Sequence, residues 1–262
     1  MDNRPIGIFD SGVGGITVYK EIKKILPNED YIYIGDTSRF PYGNKSKEII
    51  INIAKQIIQY FINNNVKLVV IACGTATSQA LEELQKEFKI PIIGIIEPTI
   101  IQKIDEKTKS VGIIATKGTV QSKAWEKAIY NKNKNVLIYS KATPLLAPMA
   151  EEGWINNNVA KEAISEYLKE FKNLQLEKLI LGCTHYPLFK EIIQQELEGK
   201  VEIINIGEQI AKYLQKYLIE MDLQSSKEEG TESINLTDIN CNFVDIAENL
   251  LGRKIEIKKI NL

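Results

Sequence analysis

The chain contains 262 residues, of which 44% are hydrophobic, and its 33 basic and 34 acidic side chains leave a net charge of −1. That length and apolar content can form a sizeable core, in one large domain or in two lobes of ordinary size. The balanced charge argues against a protein that binds nucleic acid or an anionic membrane surface, so a charged substrate would have to be captured locally.

The N-terminal sequence and the cysteine content indicate the cellular setting. MDNRPIGIFD lacks the basic-then-apolar pattern of a secretory signal, and no apolar run approaches the roughly 20 residues that cross a bilayer. Three cysteines without a CxxC pair, together with a single histidine, supply neither a disulfide framework nor the ligand spacing of a metal site. We therefore expect a cytoplasmic protein with reduced thiols and no bound metal.

Short apolar runs alternate with helical patterns through the first hundred residues. The predicted strands are residues 6–9, 31–34, the run from 68 that ends at Cys73, and 92–96. The predicted helices are residues 16–26, 46–63 and 76–88. This alternation is typical of a parallel sheet with helices on both faces.

The remaining sequence repeats the same layout of strand, small polar turn and helix. Its predicted strands are residues 111–115, 136–140, 179–182 and 201–204, and its predicted helices are 120–131, 158–171 and 208–221. The polar stretch 222–233 is expected to be a mobile surface linker. A short strand near Asn235, a helix over 244–251 and a strand over 255–260 complete the chain. We predict an α/β fold of two similar lobes, each a mostly parallel sheet flanked by helices.

Two cysteines occupy matching places in these two halves. Cys73 in LVVIACGTATS and Cys183 in LILGCTHYPL each end an apolar run, and hydroxyl groups follow at Thr75 and Thr184. His185, the only histidine, lies two residues after Cys183. The carboxyl ends of parallel strands form the ligand crevice of open α/β sheets. Because the cysteines are separated by about one domain length, we predict one in each lobe with an active site in the cleft between them. The alternative is that both only fill the core.

Two further strand ends carry polar residues. The first strand leads to Asp10 and Ser11 in SGVGG, which does not satisfy G-x-G-x-x-G because position 17 is Thr17. This argues against a dinucleotide, although a helix start rich in glycine can bind an anion such as a carboxylate. After the second strand, Asp36 and Arg39 are spaced to pair with each other, to bind a zwitterion, or to form a surface turn.

Two thiols on opposite sides of a cleft are suited to inverting a carbon centre. A thiolate is a competent base, so one sulfur can remove a proton from a carbon while the other delivers a proton to the opposite face. Asp10 could orient or activate Cys73, and Glu151 and His185 could do so for Cys183. No pyridoxal phosphate site is evident, so backbone donors and hydroxyls would stabilise the carbanion and no cofactor is expected.

Seven segments carry a resemblance to a known family. They are IGIFDSGVGG (6–15), GDTSRFPYG (35–43), ACGTATS (72–78), IIEP (95–98), ATKGT (115–119), LGCTHYPL (181–188) and NLLGRKIEI (249–257). Through them the chain resembles, nearly end to end, the glutamate racemases of the aspartate/glutamate racemase superfamily. The resemblance implies cofactor-independent interconversion of L- and D-glutamate, which supplies D-glutamate for peptidoglycan, commonly by a homodimer.

The resemblance also assigns roles to individual residues. Cys73 would be the base for the D-enantiomer and Cys183 the base for the L-enantiomer, with Asp10, Glu151 and His185 as auxiliary catalytic groups. The expected lobes are residues 1–97 with 208–262, and residues 98–207. The residues expected to hold the substrate are Asp10, Ser11, Tyr42, Gly43, Gly74, Thr75, Thr184 and His185.

Gly74 departs from the family pattern, which usually has Asn after the first catalytic cysteine. Loss of one carboxamide hydrogen bond to a charged group is worth about 1.5–3 kcal/mol, so the sequence predicts weaker glutamate binding. The sequence leaves open whether Glu151 or Glu152 faces the cleft, although the family register favours Glu151, and whether Arg39 contacts substrate. Cys241, in a polar setting, is expected to be incidental.

Three other functions remain open at this point. One is a racemase or decarboxylase of the same superfamily that acts on another acidic substrate. The second is a Cys-His hydrolase using Cys183 and His185, which is disfavoured because residues two apart rarely face each other in an extended chain. The third is a two-lobed binding protein for acidic solutes in which the cysteines are inert.

Overall fold

The computed structural model describes residues 1–239 and 241–262, and the side chain of Cys241 lies outside what is described. Ten strands are found in this part of the chain. They are β1 (Ile6–Asp10), β2 (Tyr31–Gly35), β3 (Leu68–Ile71), β4 (Ile92–Gly94), β5 (Ser110–Ala115), β6 (Leu137–Ala142), β7 (Lys178–Leu181), β8 (Glu202–Ile204), β9 (Glu232–Leu236) and β10 (Ile257–Lys259). The expectation that Cys241 is incidental therefore stays a prediction.

The strands form two separate parallel sheets. The first sheet has the order β10-β9-β2-β1-β3-β4, and the second has the order β6-β5-β7-β8. Neighbouring strands pair in parallel throughout both sheets in the described residues. We call the first sheet with its helices the first lobe and the second sheet with its helices the second lobe. The predicted two-lobed α/β fold is confirmed, and β9 and β10 bring the chain back to the first sheet, whereas the residue boundaries of the lobes stay a prediction.

Helices connect consecutive strands and cover the sheets. They are α1 (Gly15–Ile25), α2 (Lys47–Asn63), α3 (Gly74–Glu87), α4 (Ile96–Lys103), α5 (Lys117–Ser122), α6 (Ala124–Lys132), α7 (Leu146–Glu151), α8 (Asn158–Leu168), α9 (Lys190–Glu196), α10 (Ile206–Glu220) and α11 (Cys241–Leu251). None of the described helices is both long and apolar enough to span a membrane.

Burial on both faces explains why the central strands are continuous apolar runs. Every residue of β1, β3 and β5 is buried, as expected for strands with helices on either side. The edge strand β6 is exposed or half-buried along its whole length. Because the central strands are fixed by burial, the residues that follow their carboxyl ends are held firmly at one edge of each sheet.

The sequence predicts no range for α4, α7 or α9, and it merges two other helices. The strand predicted over 92–96 ends at Gly94, and α4 begins at once, with Pro98 in its first turns, where a missing N–H costs nothing. The helix predicted over 120–131 is two helices, because Lys123 adopts a left-handed conformation with φ of 58° between them.

The stretch 222–233, predicted to be a mobile linker, is hydrogen-bonded to the first lobe, and its mobility stays a prediction. Ser225 N–H donates to Glu29 Oε1 at 2.8 Å, and Thr231 N–H donates to Asp30 Oδ1 at 2.7 Å. Glu29 in turn forms a buried ion pair with Lys67. The polar residues of this stretch therefore bind buried or half-buried partners on the first lobe, and its last two residues already belong to β9.

Candidate active site

The two predicted cysteines line one cavity between the lobes. Cys73 follows β3, and Cys183 follows β7 of the other sheet. Both side chains are nearly buried, at 5% and 6% exposure. The cavity has about 470 Å³ of empty space, counted out to its open mouth, and both cysteines contribute to its wall. The chain therefore presents one thiol from each sheet to a shared space.

Cys73 is held as a neutral thiol at the start of a helix. It is the N-cap residue of α3, where its sulfur accepts a hydrogen bond from Ala76 N–H at 3.5 Å and lies 3.8 Å from Ser11 Oγ. Burial, and next the negative charge of Asp10, raise the pKa of Cys73 far above the ordinary value of a thiol, and the Ala76 hydrogen bond only partly opposes this. Cys73 accordingly carries its proton at neutral pH.

Cys183 has a different environment, because it begins a chain of hydrogen-bonded groups. Its sulfur lies 3.6 Å from Nδ1 of His185, whose Nε2 lies 2.6 Å from Glu151 Oε1. Burial works to lower the pKa of His185, but the hydrogen bonds to Cys183 and Glu151 outweigh it and raise this pKa well above the usual value. A protonated imidazole beside the sulfur of Cys183 stabilises a thiolate there.

The contact between Cys183 and His185 contradicts the reason given above against a Cys-His pair. That reason assumed an extended chain, but β7 ends at Leu181 and the backbone at His185 is helical, with φ of −76° and ψ of −26°. The turn brings the two side chains to the same side. The structure therefore allows a Cys-His pair, and the argument against a hydrolase rests on the second thiol.

The glycine-rich loop after β1 does bind carboxylates, and they belong to the protein. Gly12 N–H and Gly15 N–H donate to Asp10 Oδ2 at 3.1 and 3.0 Å, and Val13 N–H donates to Glu151 Oε1 of the second lobe at 2.8 Å. A Cβ at position 12 would lie 2.1 Å from that same Oε1. A side chain at this position would displace the carboxylate of Glu151 from its hydrogen bonds.

Asp10 and Glu151 stand behind the cavity wall and not in it. Asp10 is fully buried, and Thr184 Oγ1 donates to its Oδ1 at 3.2 Å. Burial raises the pKa of Asp10, while the nearby His185 opposes this. Neither carboxylate is among the residues that line the cavity, so each reaches it through a neighbour, namely Thr184 for Asp10 and His185 for Glu151.

The other residues expected to hold substrate share one location. All of them line the cavity: Ser11, Tyr42, Gly43, Gly74, Thr75, Thr184 and His185. The hydroxyl of Tyr42 donates to Asp36, so it is the rest of the residue that faces the cavity. Thr75 Oγ1 lies 2.9 Å from Thr116 Oγ1, a hydroxyl contact that crosses from one lobe to the other.

Gly74 is enclosed more tightly than its sequence context suggested. A Cβ at this position would lie 2.3 Å from the carbonyl oxygen of Gly182, which belongs to the backbone of the second lobe. An asparagine at position 74 therefore does not fit the observed separation of the lobes. The glycine removes a carboxamide, and it also lets the two backbones approach each other.

The questions left open about Arg39 and Glu152 have structural answers. Arg39 Nε donates to both carboxylate oxygens of Asp36, at 2.9 and 2.7 Å, and Arg39 does not line the cavity. The two residues therefore pair with each other. Glu151 contacts His185 and Val13 behind the cavity wall, whereas Glu152 is exposed at the end of α7.

Several wall residues were not identified from the sequence. Phe40 packs beside His185 with ring centroids 5.7 Å apart, and Thr116 and Lys117 follow β5 at the same sheet edge as Cys183. Pro144, Ala147 and Pro148 complete the wall from the second lobe. The position of ATKGT after a predicted strand was a signal for Thr116 and Lys117, whereas nothing local marked Phe40. Within the described residues, no group of three or more His, Cys, Asp or Glu side chains could hold a metal ion.

Comparisons with known proteins agree with this geometry. The sequence profile of the Asp/Glu/hydantoin racemase family matches residues 6–214. A glutamate racemase from Aquifex aeolicus is 43% identical over 256 residues, covering 97% of this chain and 96% of that protein. A glutamate racemase structure from Francisella tularensis in complex with D-glutamate superposes with a TM-score of 0.93 at 37% identity, covering 100% of this chain and 98% of that one.

A structure of a glutamate racemase isoform from Bacillus anthracis gives a TM-score of 0.95 at 33% identity, with 100% and 99% of the two chains covered. Both the sequence and the structural similarity thus extend over the whole chain and include both cysteine-bearing strand ends. The resemblance stated from the sequence motifs is confirmed, and this chain belongs to the Asp/Glu/hydantoin racemase family.

Proposed function

We propose that this chain interconverts L- and D-glutamate by a two-base mechanism in which Cys73 and Cys183 act on opposite faces of the α-carbon. The observation that carries the proposal is the presence of one thiol from each sheet in the wall of a single cavity. The full-length similarity to glutamate racemases supports glutamate as the substrate. A hydrolase or a binding protein would leave one or both thiols without a role.

The different environments of the two thiols suit a proton relay. Cys183, beside the imidazolium of His185, is the thiolate that removes the α-proton of L-glutamate. Cys73, whose pKa is raised by burial, holds a proton that it donates to the opposite face of the carbanion. The product is D-glutamate, Cys73 becomes the thiolate and Cys183 the thiol. That state accepts D-glutamate in the reverse direction, and proton exchange with water restores the first state.

The helix starts at the cavity would hold the substrate carboxylates. Gly74 and Thr75 line the cavity and form the first turn of α3, where N–H groups have no partner within the helix. Thr184 and Ser11 add hydroxyl groups to the same wall. Such preorganised donors stabilise the charge that spreads onto the substrate carboxylate as the α-proton leaves. Asp10 and Glu151 act as positioning residues, since they reach the cavity through Thr184 and His185.

Incubation with L-glutamate in heavy water tests the reaction. A racemase incorporates deuterium at Cα while optical rotation decays to zero, a hydrolase does neither, and a binding protein leaves the solute unchanged. The same assay with aspartate distinguishes glutamate from another acidic substrate, and carbon dioxide release would reveal a decarboxylase.

Single cysteine variants test the two-base mechanism. We expect Cys73→Ala and Cys183→Ala each to abolish racemisation, because each thiol serves as base in one direction and acid in the other. Cys241→Ala is the matched control and should racemise at the wild-type rate. Substantial turnover by either active-site variant would rule out two essential bases.

Three parts of the proposal come from the family resemblance: supply of D-glutamate for peptidoglycan, a cytoplasmic location and a homodimeric assembly. Light scattering coupled to gel filtration measures the assembly directly. Restoration of growth in a bacterium that depends on added D-glutamate would test the supply of D-glutamate for peptidoglycan. Fractionation of cells expressing the chain would test the cytoplasmic location.

A further inference from the structure

A second cavity lies beside the catalytic cavity and shares part of its wall. It has about 980 Å³ of empty space, including the space at its open mouth. Its wall includes Gly43 and Lys117, which also line the catalytic cavity. Gly43 belongs to the first lobe and Lys117 opens α5 of the second lobe. The second cavity therefore lies across the seam between the lobes, next to the catalytic cavity.

The wall of this outer cavity is basic. Among the described residues that form it there are three lysines, Lys45, Lys47 and Lys117, and no aspartate or glutamate. Lys47 lies 3.8 Å from Glu83, so its charge is partly compensated. For Lys45 and Lys117, no carboxylate of the described residues lies within ion-pair distance. Two uncompensated positive charges thus face this space, one from each lobe.

The catalytic cavity itself offers little attraction to an anion over a distance. Among the described residues that line it, His185 is paired with Glu151 behind the wall, so Lys117 carries the one positive charge without an acidic partner. Glutamate carries two carboxylates and one ammonium group, so its net charge is −1 and an uncompensated positive charge at the entrance attracts it. The net charge of the whole chain is −1 and supplies no compensating field.

We propose that Lys117 and Lys45 form an anion-capturing entrance, which attracts the dicarboxylate substrate and guides it from the outer cavity to the thiols. This rests on the proposed function, because the anion concerned is the substrate of that reaction. Neither lysine takes part in proton transfer. Their contribution is electrostatic, so it depends on charge and not on shape, and it weakens as salt screens the approach over the Debye length of about 10 Å at 0.1 M.

The test compares kcat and KM for glutamate in the wild-type chain and in Lys117→Gln, Lys45→Gln and the double variant, at several ionic strengths. At low salt we expect KM to rise roughly threefold for each single variant and roughly tenfold for the double variant, with kcat unchanged. In the wild type KM should rise with salt, and this dependence should flatten in the variants. Lys117→Arg, which keeps the charge, should behave like the wild type.

Lys134→Gln is the matched control. Lys134 is also an exposed lysine without an ion-pair partner among the described residues, but it precedes β6 and so lies at the opposite edge of the sheet from the active site. If this control raises KM as much as Lys117→Gln does, the effect comes from total charge and the entrance is refuted. A wild-type KM in the double variant, or a loss confined to kcat, refutes it equally. Failure of the proposed function is a separate result, since the wild-type chain would then racemise neither enantiomer.

Discussion

Replacing Glu151 by glutamine isolates the contribution of one charge to the Cys183 side of the site. The carboxylate oxygen Oε1 accepts a hydrogen bond from Val13 N–H at 2.8 Å and contacts His185 Nε2 at 2.6 Å. Glutamine has the same size and keeps an oxygen acceptor, so the contact between the lobes can persist. What is lost is the negative charge that keeps the imidazole protonated and, through it, favours the thiolate of Cys183.

The expected magnitude follows from the hydrogen bond that loses its charge. A hydrogen bond to a charged group contributes about 1.5–3 kcal/mol, and about 1.4 kcal/mol corresponds to a factor of ten in rate. We therefore expect kcat/KM of Glu151→Gln to fall roughly ten- to 150-fold. Because enantiomers have equal free energies, the equilibrium constant is one, and kcat/KM must fall by the same factor in both directions.

Kinetic isotope effects show which of the two proton transfers is slowed in Glu151→Gln. Proton removal from L-glutamate by Cys183 should become more rate-limiting, so the effect of α-deuteration should grow for L-glutamate and shrink for D-glutamate. Activity is followed by circular dichroism in both directions, with thermal unfolding to show that the variant is folded. Glu152→Gln is the adjacent control, exposed at the same helix end, and should stay within about twofold of the wild type. Retention of full kcat/KM in Glu151→Gln, or an equal loss in Glu152→Gln, would refute the reasoning.

Two further predictions concern the thiols and the seam between the lobes. At pH 7.5 iodoacetamide should modify Cys183 before Cys73, although the two side chains are almost equally buried. The pKa of Cys73 is raised, so its thiolate accumulates only as the pH rises toward that pKa. Peptide mass spectrometry over pH 7–10 measures the order of modification, and faster modification of Cys73 at neutral pH would contradict this prediction. Gly74→Asn should lower kcat about a hundredfold, because the new Cβ would press on the carbonyl oxygen of Gly182 and hold the lobes apart. A lower KM with unchanged kcat would instead show that the missing carboxamide, and not the close approach of the backbones, dominates the effect of Gly74 on activity.

The sequence determined the parts of this protein that depend on local pattern. Apolar runs of strand length that end in small polar residues placed Cys73 and Cys183 at strand ends, and the alternation with helices required parallel sheets. Parallel strands present their carboxyl ends at one edge, so the pattern was sufficient to predict two thiols beside a cleft. Where local propensity was ambiguous, as at the short helix α4 and at the break at Lys123, the sequence alone failed.

Only the tertiary structure decided which groups meet across the lobes. Val13 and Glu151 are separated by 138 residues, and no local pattern encodes their hydrogen bond. Successive helical residues point about 100° apart, so the packing of α7 against the turn after β7 within the second lobe determined that Glu151 and not Glu152 faces His185. The position of Lys117 in the cavity wall and the close approach of Gly74 to the backbone of Gly182 likewise depend on how the two sheets pack together. Strand ends follow from burial along the chain, whereas contacts in the cleft depend on how the two sheets are placed relative to each other.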